Sequence, residues 1–184
     1  MIKVAIFGGS FDPPHRGHQI IARKALETLD IDKLIILPAY LNPFKKSTLA
    51  SPEQRLKWCR RLFDAIPDIV VSDFEIKMGR PVYTSESVRH FQEHYQVRYL
   101  VIGSDNLLSI DKWHEFDWLN SLVTWAVAER EIHPLQTEKL RRWIMLKVDV
   151  PVSSTSIREN GRIEWVDKRI REEVERVLKH NKGK

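Results

Sequence analysis

The sequence predicts an α/β fold: a mostly parallel sheet with helices on both faces. Three observations predict it. Short apolar runs recur along the chain, and each has the length and flanks of a buried strand. Stretches with apolar residues at helical spacing separate them. Glycine, proline and capping residues stand at the junctions, where turn chemistry belongs. Strands that alternate with helices close into a parallel sheet through right-handed crossovers.

Taken in order, Val4-Ala5-Ile6-Phe7 reads as the first strand, and Ile20, Ile21, Ala25 and Leu29 mark a helix over residues 19–29. Leu34-Ile35-Ile36-Leu37 is the second strand, stopped by Pro38. A loop over 39–50 carries Asn42-Pro43-Phe44-Lys45-Lys46. Ser51-Pro52-Glu53-Gln54 then places Ser at the N-cap, Pro at N1 and Gln at N3 of a helix running to about residue 65. Ile69-Val70-Val71 is a third strand, and Phe74 to Lys77 reads as a short edge strand before a turn at Gly79. Thr84 or Ser85 caps a helix through Val88 and Phe91. Tyr99-Leu100-Val101-Ile102 is the fourth strand, and Asp111 to Asn120 forms short helical turns. Val123 to Ala128 is the fifth strand. Gln136 to Trp143 reads as helical, and Met145 to Val148 as a last short strand. Val152 to Arg158 opens another turn into a helix. Asp167 caps the closing helix, with Ile170, Val174, Val177 and Leu178 on one face.

The 184 residues suit one domain, 1–184, in which 153–184 supplies a late phosphate-binding turn and a C-terminal helix. No apolar run approaches the roughly 20 residues of a membrane span, and no secretory pattern is visible. One cysteine, Cys59, cannot form an internal disulfide, which fits a reducing cytoplasm. The formal charge of +5 suits a nucleic-acid binder or an enzyme of phosphorylated substrates. Basic residues of the tail alternate with Glu159, Glu164, Glu172, Glu173 and Glu175, the pattern of a solvated helix face, so the excess argues little for nucleic acid.

The chemistry concentrates in residues 8–18, GGSFDPPHRGH. This is a strand-to-helix turn. Gly8 and Gly9 allow close approach of a ligand to backbone, and the helix start offers unpaired N–H groups and a positive dipole end to an anion. His15 and His18, three apart, share one face of the first turn and suit an anion that gains charge during reaction. A Gly-Gly turn or an HxxH pair alone is common; the whole string after a strand is specific.

Three loops follow strands directly, 8–18, 38–46 and 103–113, and topology gathers them on one rim. Lys45 and Lys46 stand in the second, either solvated or set against phosphate. Ser153 to Arg158 offers hydroxyls, a helix start and an arginine, a phosphate cradle or a plain cap. Trp125 is a core residue. Trp113, between Lys112 and His114, is core or a stacking surface for a flat ring. His90, His94, His114, His133 and His180 lack ligand spacing and read as surface. Cys59 lacks a base partner for nucleophilic chemistry. Lys45-Lys46-Ser47 resembles the second signature of class I aminoacyl-tRNA synthetases only faintly, in a chain too short for that class.

GGSFDPPHRGH resembles the signature of the HxGH nucleotidyltransferases, Rossmann-like enzymes that transfer a nucleotidyl group from a nucleoside triphosphate. Over nearly its whole length the chain is similar to the bacterial nicotinate-nucleotide adenylyltransferases. RPVYTSES looks like that family's SYTxDT segment, GSDNL followed by Trp113 like its GxDxL…W segment, AVAER like its AVxxR strand end, and VSSTSIR like its late SSTxIR motif. VDKRIREEVERVL resembles its C-terminal helix. The resemblance implies transfer of the adenylyl group of ATP to nicotinate mononucleotide, with Mg²⁺ accompanying ATP and no protein metal cage. It implies His15, His18, Lys45 and Arg158 as catalytic. Gly8, Gly9, Ser10, Phe11, Gly103 and Asp105 would line the ATP region, and Ser154, Thr155 and Arg158 would meet ATP from the late motif. Tyr83, Thr84 and Trp113 would hold the mononucleotide, with Lys45 reaching its phosphate side. Two departures stand out. Phe44 replaces the histidine of the family's PPHK loop. In the SYTxDT segment Val82, Glu86 and Ser87 replace serine, aspartate and threonine.

Alternatives of the same chemistry are nicotinamide-mononucleotide and pantetheine-phosphate adenylyltransferases; the latter resemble neither the RPVYT nor the Trp113 segment. A basic nucleic-acid-binding protein and a metal-binding protein built on Asp12, His15 and His18 are the alternatives from other classes. Oligomeric state has no signature here.

Overall fold

β1 (Lys3–Gly9) is the strand from which the sheet is laid out. In the computed structural model, which describes residues 1–129, 136–149 and 152–182, it pairs with β2 (Lys33–Pro38) on one side and β4 (Gln96–Gly103) on the other. β3 (Ile69–Val71) lies outside β2, and β5 (Thr124–Glu129) and β6 (Trp143–Lys147) lie beyond β4. The order is β3-β2-β1-β4-β5-β6, with every pair parallel. The chain therefore reverses direction across the sheet between β1 and β4. A crevice opens there at the carboxyl ends of the strands.

Alternation along β1 divides the core. Ala5 and Phe7 face the layer of α1 (Arg16–Thr28), α2 (Pro52–Phe63), α6 (Ser154–Asn160) and α7 (Lys168–Lys182). Val4 and Ile6 face the layer of α4 (Thr84–Gln92) and α5 (Phe116–Leu122). α7 buries Ile170 and Val174, with Val177 and Leu178 at the margin, on the stripe the spacing predicts. Its Glu173 reaches across to α2, accepting from Trp58 Nε1 at 3.0 Å and Arg61 Nη1 at 2.8 Å. Ser51 caps α2 as expected, its Oγ accepting from Gln54 N at 3.1 Å; such a cap is worth about 1 kcal/mol. Asp167 likewise accepts the Arg169 N–H at 2.9 Å.

Two expectations fail. Residues 74–77 form no edge strand but a short helix, α3 (Phe74–Met78), closed by Gly79 at φ 66°. The left-handed glycine is a helix C-cap, a role open to it as readily as a hairpin turn. Residues 136–142 are not helical, and Trp143 opens β6. Its pairing with Trp125 commits that residue to the sheet, overriding the local spacing. Smaller shifts occur at helix ends: α1 begins at Arg16, and Tyr83 rather than Thr84 or Ser85 is the N-cap of α4.

Candidate active site

The turn after β1 is held by contacts to three later segments. Phe11 takes a left-handed backbone, φ 50°, and lies buried with its ring 5.5 Å from Phe7 and 4.7 Å from His18. A Cβ at residue 9 would just touch that ring, at 3.4 Å. The Asp12 carboxylate is buried and accepts the N–H groups of Leu49 and Ala50 at 2.7 and 2.9 Å, tying the turn to the 39–50 loop. From α6, Ser154 Oγ donates to the Pro13 carbonyl at 2.9 Å and Arg158 Nη1 to the Asp12 carbonyl at 2.7 Å. Arg158 also donates to Thr155 Oγ1 at 3.2 Å. The late motif thus sits directly on the early one.

His15 is the N-cap of α1, and its Nδ1 accepts the Gly17 N–H at 3.0 Å. His18 Nδ1 accepts the His15 N–H, also at 3.0 Å. Two backbone donors aimed at the two Nδ1 atoms put each ring's proton on Nε2. The rings lie 3.9 Å apart, His15 fully buried and His18 nearly so.

Lys45 joins this cluster to the cavity beside it. Its Nζ donates to Ser10 Oγ at 3.1 Å. Loss of hydration, then the nearby Arg158 charge, hold its pKa below the usual lysine value. Lys46 is exposed.

Arg55 escaped notice in the sequence. It is fully buried on α2 and donates to four backbone carbonyls: Ser10 at 2.6 Å, Ala39 at 2.7 Å, Tyr40 at 2.8 Å and Ala50 at 3.2 Å. One guanidinium therefore fastens the early turn to both ends of the Lys45 loop. Its signal was present: Arg55 shares a helical stripe with Trp58, Cys59 and Leu62, all buried. A charge on an apolar stripe asks for partners. Cys59, beside it, is sealed, and burial pushes its thiol up, away from nucleophilic chemistry.

The cavity, of about 420 Å³, opens at the crevice between β1 and β4. Gly8 and Gly9 end one strand at its wall and Gly103 the other. A Cβ on residue 103 would clash with Asp105 Oδ1, so the exposed Asp105 side chain folds back over Gly103 and would have to swing away from any larger residue there. Tyr83, Thr84, Trp113 and Lys45 line it as well. Trp113 is half-buried, its ring edge-on to the buried Trp125 at 5.9 Å. It is both a core contact and a cavity wall. His114, read from sequence as a surface residue, also lines the cavity, stacked on Tyr83 at 4.4 Å and 22°. Phe44 stands at the same mouth, 64 % exposed. His90 stacks on Phe74 at 3.8 Å, away from the site, and His133 lies outside the described residues.

The structure thus brings the expected residues into two adjoining groups. Ser10, Phe11, His15, His18, Ser154, Thr155 and Arg158 are knit around the turn. Gly8, Gly9, Lys45, Tyr83, Thr84, Gly103 and Trp113 line the cavity. The Lys45–Ser10 hydrogen bond joins them, and Asp105 stands exposed beside Gly103. Among the described residues, no three His, Cys, Asp or Glu side chains converge as metal ligands, and no helix is long and apolar enough to cross a membrane.

Residues 6–160 match the family model described as Cytidylyltransferase-like. A Sulfurovum protein named "Probable nicotinate-nucleotide adenylyltransferase" is 57 % identical over 98 % of this chain and 96 % of its own length. One from Nitratiruptor with the same name is 42 % identical over 97 % and 99 %. Among solved structures, the Plasmodium falciparum nicotinic acid mononucleotide adenylyltransferase complexed with NaAD superposes with a TM-score of 0.78 at 17 % identity, covering 98 % of this chain and 97 % of the other. That likeness establishes the fold, and the sequence relatives establish the kinship: the chain belongs to the nicotinate-nucleotide adenylyltransferase family of nucleotidyltransferases.

Proposed function

We propose that this protein transfers the adenylyl group of MgATP to nicotinate mononucleotide, giving nicotinate adenine dinucleotide and pyrophosphate. The observation that carries the reading is the Lys45–Ser10 contact, where a phosphate-type turn meets a cavity walled by Trp113 and Tyr83. A phosphate oxygen of the mononucleotide attacks the α-phosphorus in line. The new P–O bond forms as the bond to the bridging oxygen breaks, and its electron pair leaves with pyrophosphate. No protein nucleophile is needed, so catalysis is positioning plus charge stabilisation.

On this reading the Nε2–H of His18 donates to the α-phosphate. His15, which is sealed, caps α1 and sets the ring of His18. Lys45 and Arg158 neutralise charge that develops on the departing pyrophosphate. Thr155 Oγ1 takes a hydrogen bond from Arg158, and Ser154 ties the same helix start to the Pro13 carbonyl, so both meet ATP from the late motif. Gly8, Gly9, Ser10, Phe11, Gly103 and Asp105 form the ATP wall. Tyr83, Thr84 and Trp113 hold the pyridine end, with Trp113 stacked on the ring. Mg²⁺ belongs to the substrate. The acid of the motif, Asp12, is already committed to two N–H groups, so no step is assigned to a side-chain metal cage. We place the reaction in the cytoplasm, with small molecules as its partners. Part of the basic surface is engaged in ion pairs such as Arg61–Glu173 and Arg169–Asp167, which leaves less of it for a nucleic acid.

The test is product identity with MgATP and each of three acceptors: nicotinate mononucleotide, nicotinamide mononucleotide and phosphopantetheine. The dinucleotide and pyrophosphate should form fastest with the first. Product chiefly from phosphopantetheine would refute the acceptor, and no product from any would refute the reaction.

A further inference from the structure

Glu75 is a buried acid in the wall of the cavity, apart from the phosphate cradle. It sits on α3 at 7 % exposure and lines the cavity with Val82, Tyr83, Thr84 and Trp113. Ser87 Oγ, one turn into α4, donates to its Oε2 at 2.8 Å. No salt bridge to Glu75 occurs among the described residues. A carboxyl so placed is within the wall of the cavity and available to a polar group that enters it. As a carboxylate it repels another carboxylate at close range; as the acid it donates a hydrogen bond to one.

We propose that Glu75 is the residue that reads the ring substituent of the acceptor. Ser87 holds Oε2, and Oε1–H donates to a carboxylate on the pyridine ring. The inference rests on the acceptor site proposed above. Its consequence is a proton count. A pyridine carboxylate enters with Glu75 neutral, so its binding draws in a proton wherever Glu75 is ionised in the free protein. An uncharged carboxamide draws in none.

Burial pushes the Glu75 carboxyl up to about 8, against the opposing Ser87 hydrogen bond and with help from the Glu86 charge on α4. Around the cavity the other titratable side chains are Tyr83, His114 and Lys45. On α3 itself Lys77 pairs with Asp73, which also takes Arg60 from α2; β2, packed on α3, presents the apolar Leu37 to the cavity. All of these remain in the variants below, so a difference between profiles belongs to Glu75.

The experiment is calorimetric titration of nicotinate mononucleotide into the intact protein in buffers of different ionisation enthalpy, with kcat/KM for both mononucleotides from pH 6.5 to 9.5. At pH 8 wild type should take up about half a proton per site beyond that of Glu75→Gln. Its preference for the nicotinate acceptor should fall up to about tenfold per pH unit above 8. Glu75→Gln, a permanent neutral, should show a flat preference. Ser87→Ala keeps the carboxyl, removes the donor that favours its ionised form, and should move the midpoint upward; it serves if Glu75→Gln does not fold. Equal proton uptake and equal pH profiles in wild type and variant would overturn the proposal. An active wild type whose Ser87→Ala midpoint does not move would overturn it too. Failure of wild type to use either mononucleotide would instead overturn the reaction on which it rests.

Discussion

At the turn after β1, most of the polar contacts are hydrogen bonds between side chains and backbone. His15 and His18 accept N–H groups within their own helix start, Asp12 accepts two more, and Ser154 and Arg158 donate to carbonyls of residues 13 and 12. At the far end of the cavity the walls are rings: Trp113 against Trp125, and His114 on Tyr83, with Phe44 exposed at the mouth. The first region is a rigid cradle whose geometry is set by backbone. The second is a set of flat surfaces from separate loops. A charge-stabilising site needs donors preorganised, because misplacing one forfeits its effect in the transition state. A ring-binding site needs area, and stacking tolerates some displacement. The two ends should therefore respond differently to mutation, the cradle in kcat and the walls in KM.

The largest expected effect tests the cradle. His18→Asn keeps an acceptor near the His15 N–H while removing the imidazole donor. Turnover should fall about 100- to 1000-fold with little change in KM for the mononucleotide. Activity within a few-fold of wild type would break the assignment. Next is Arg55→Lys, which replaces a fork holding four carbonyls by a single ammonium. A loss of roughly 10- to 100-fold in kcat/KM for ATP is expected, with a lowered Tm, because each buried acceptor left unpaired costs about 1–3 kcal/mol. A stability loss without a change in KM for ATP would make Arg55 purely structural.

Effects on the walls should be smaller. Trp113→Ala should raise KM for the mononucleotide about tenfold, the upper end of one aromatic contact, and leave KM for ATP nearly unchanged. A change confined to ATP would misplace the acceptor. Of comparable size is the effect at Lys45, and the smallest is at its neighbour Lys46. Lys45→Ala should cost about tenfold or more, the scale of one charge-assisted hydrogen bond. Lys46→Ala should stay within about twofold, as a surface substitution away from such a contact does. Equal losses would remove the distinction drawn from the Ser10 contact.

The same contrast explains what was legible in the sequence. The cradle is encoded locally: residues 8–18 are contiguous, and Ser51, Asp167 and the sheet strands announce themselves by caps and apolar runs. The cavity is encoded by contact between distant segments. Nothing beside His114 in the chain foretells Tyr83, which only folding brings beneath it. Glu75 was hidden by reading α3 as a strand, and the stretch is too short for periodicity to decide between them. Residues 136–142 failed for a related reason: the pairing of β6 with β5 governs them more than their own spacing. Arg55 was legible in principle, as a charge on an apolar stripe, but its four partners come from two loops that no spacing connects to it.

A double-mutant cycle of His18→Asn and Trp113→Ala, read in kcat/KM for the mononucleotide at saturating ATP, tests the central claim most directly. Two independently built ends predict losses that multiply, with a coupling energy within about 0.5 kcal/mol of zero. A double variant no worse than His18→Asn alone would contradict it, because the histidine and the tryptophan would then act as one unit.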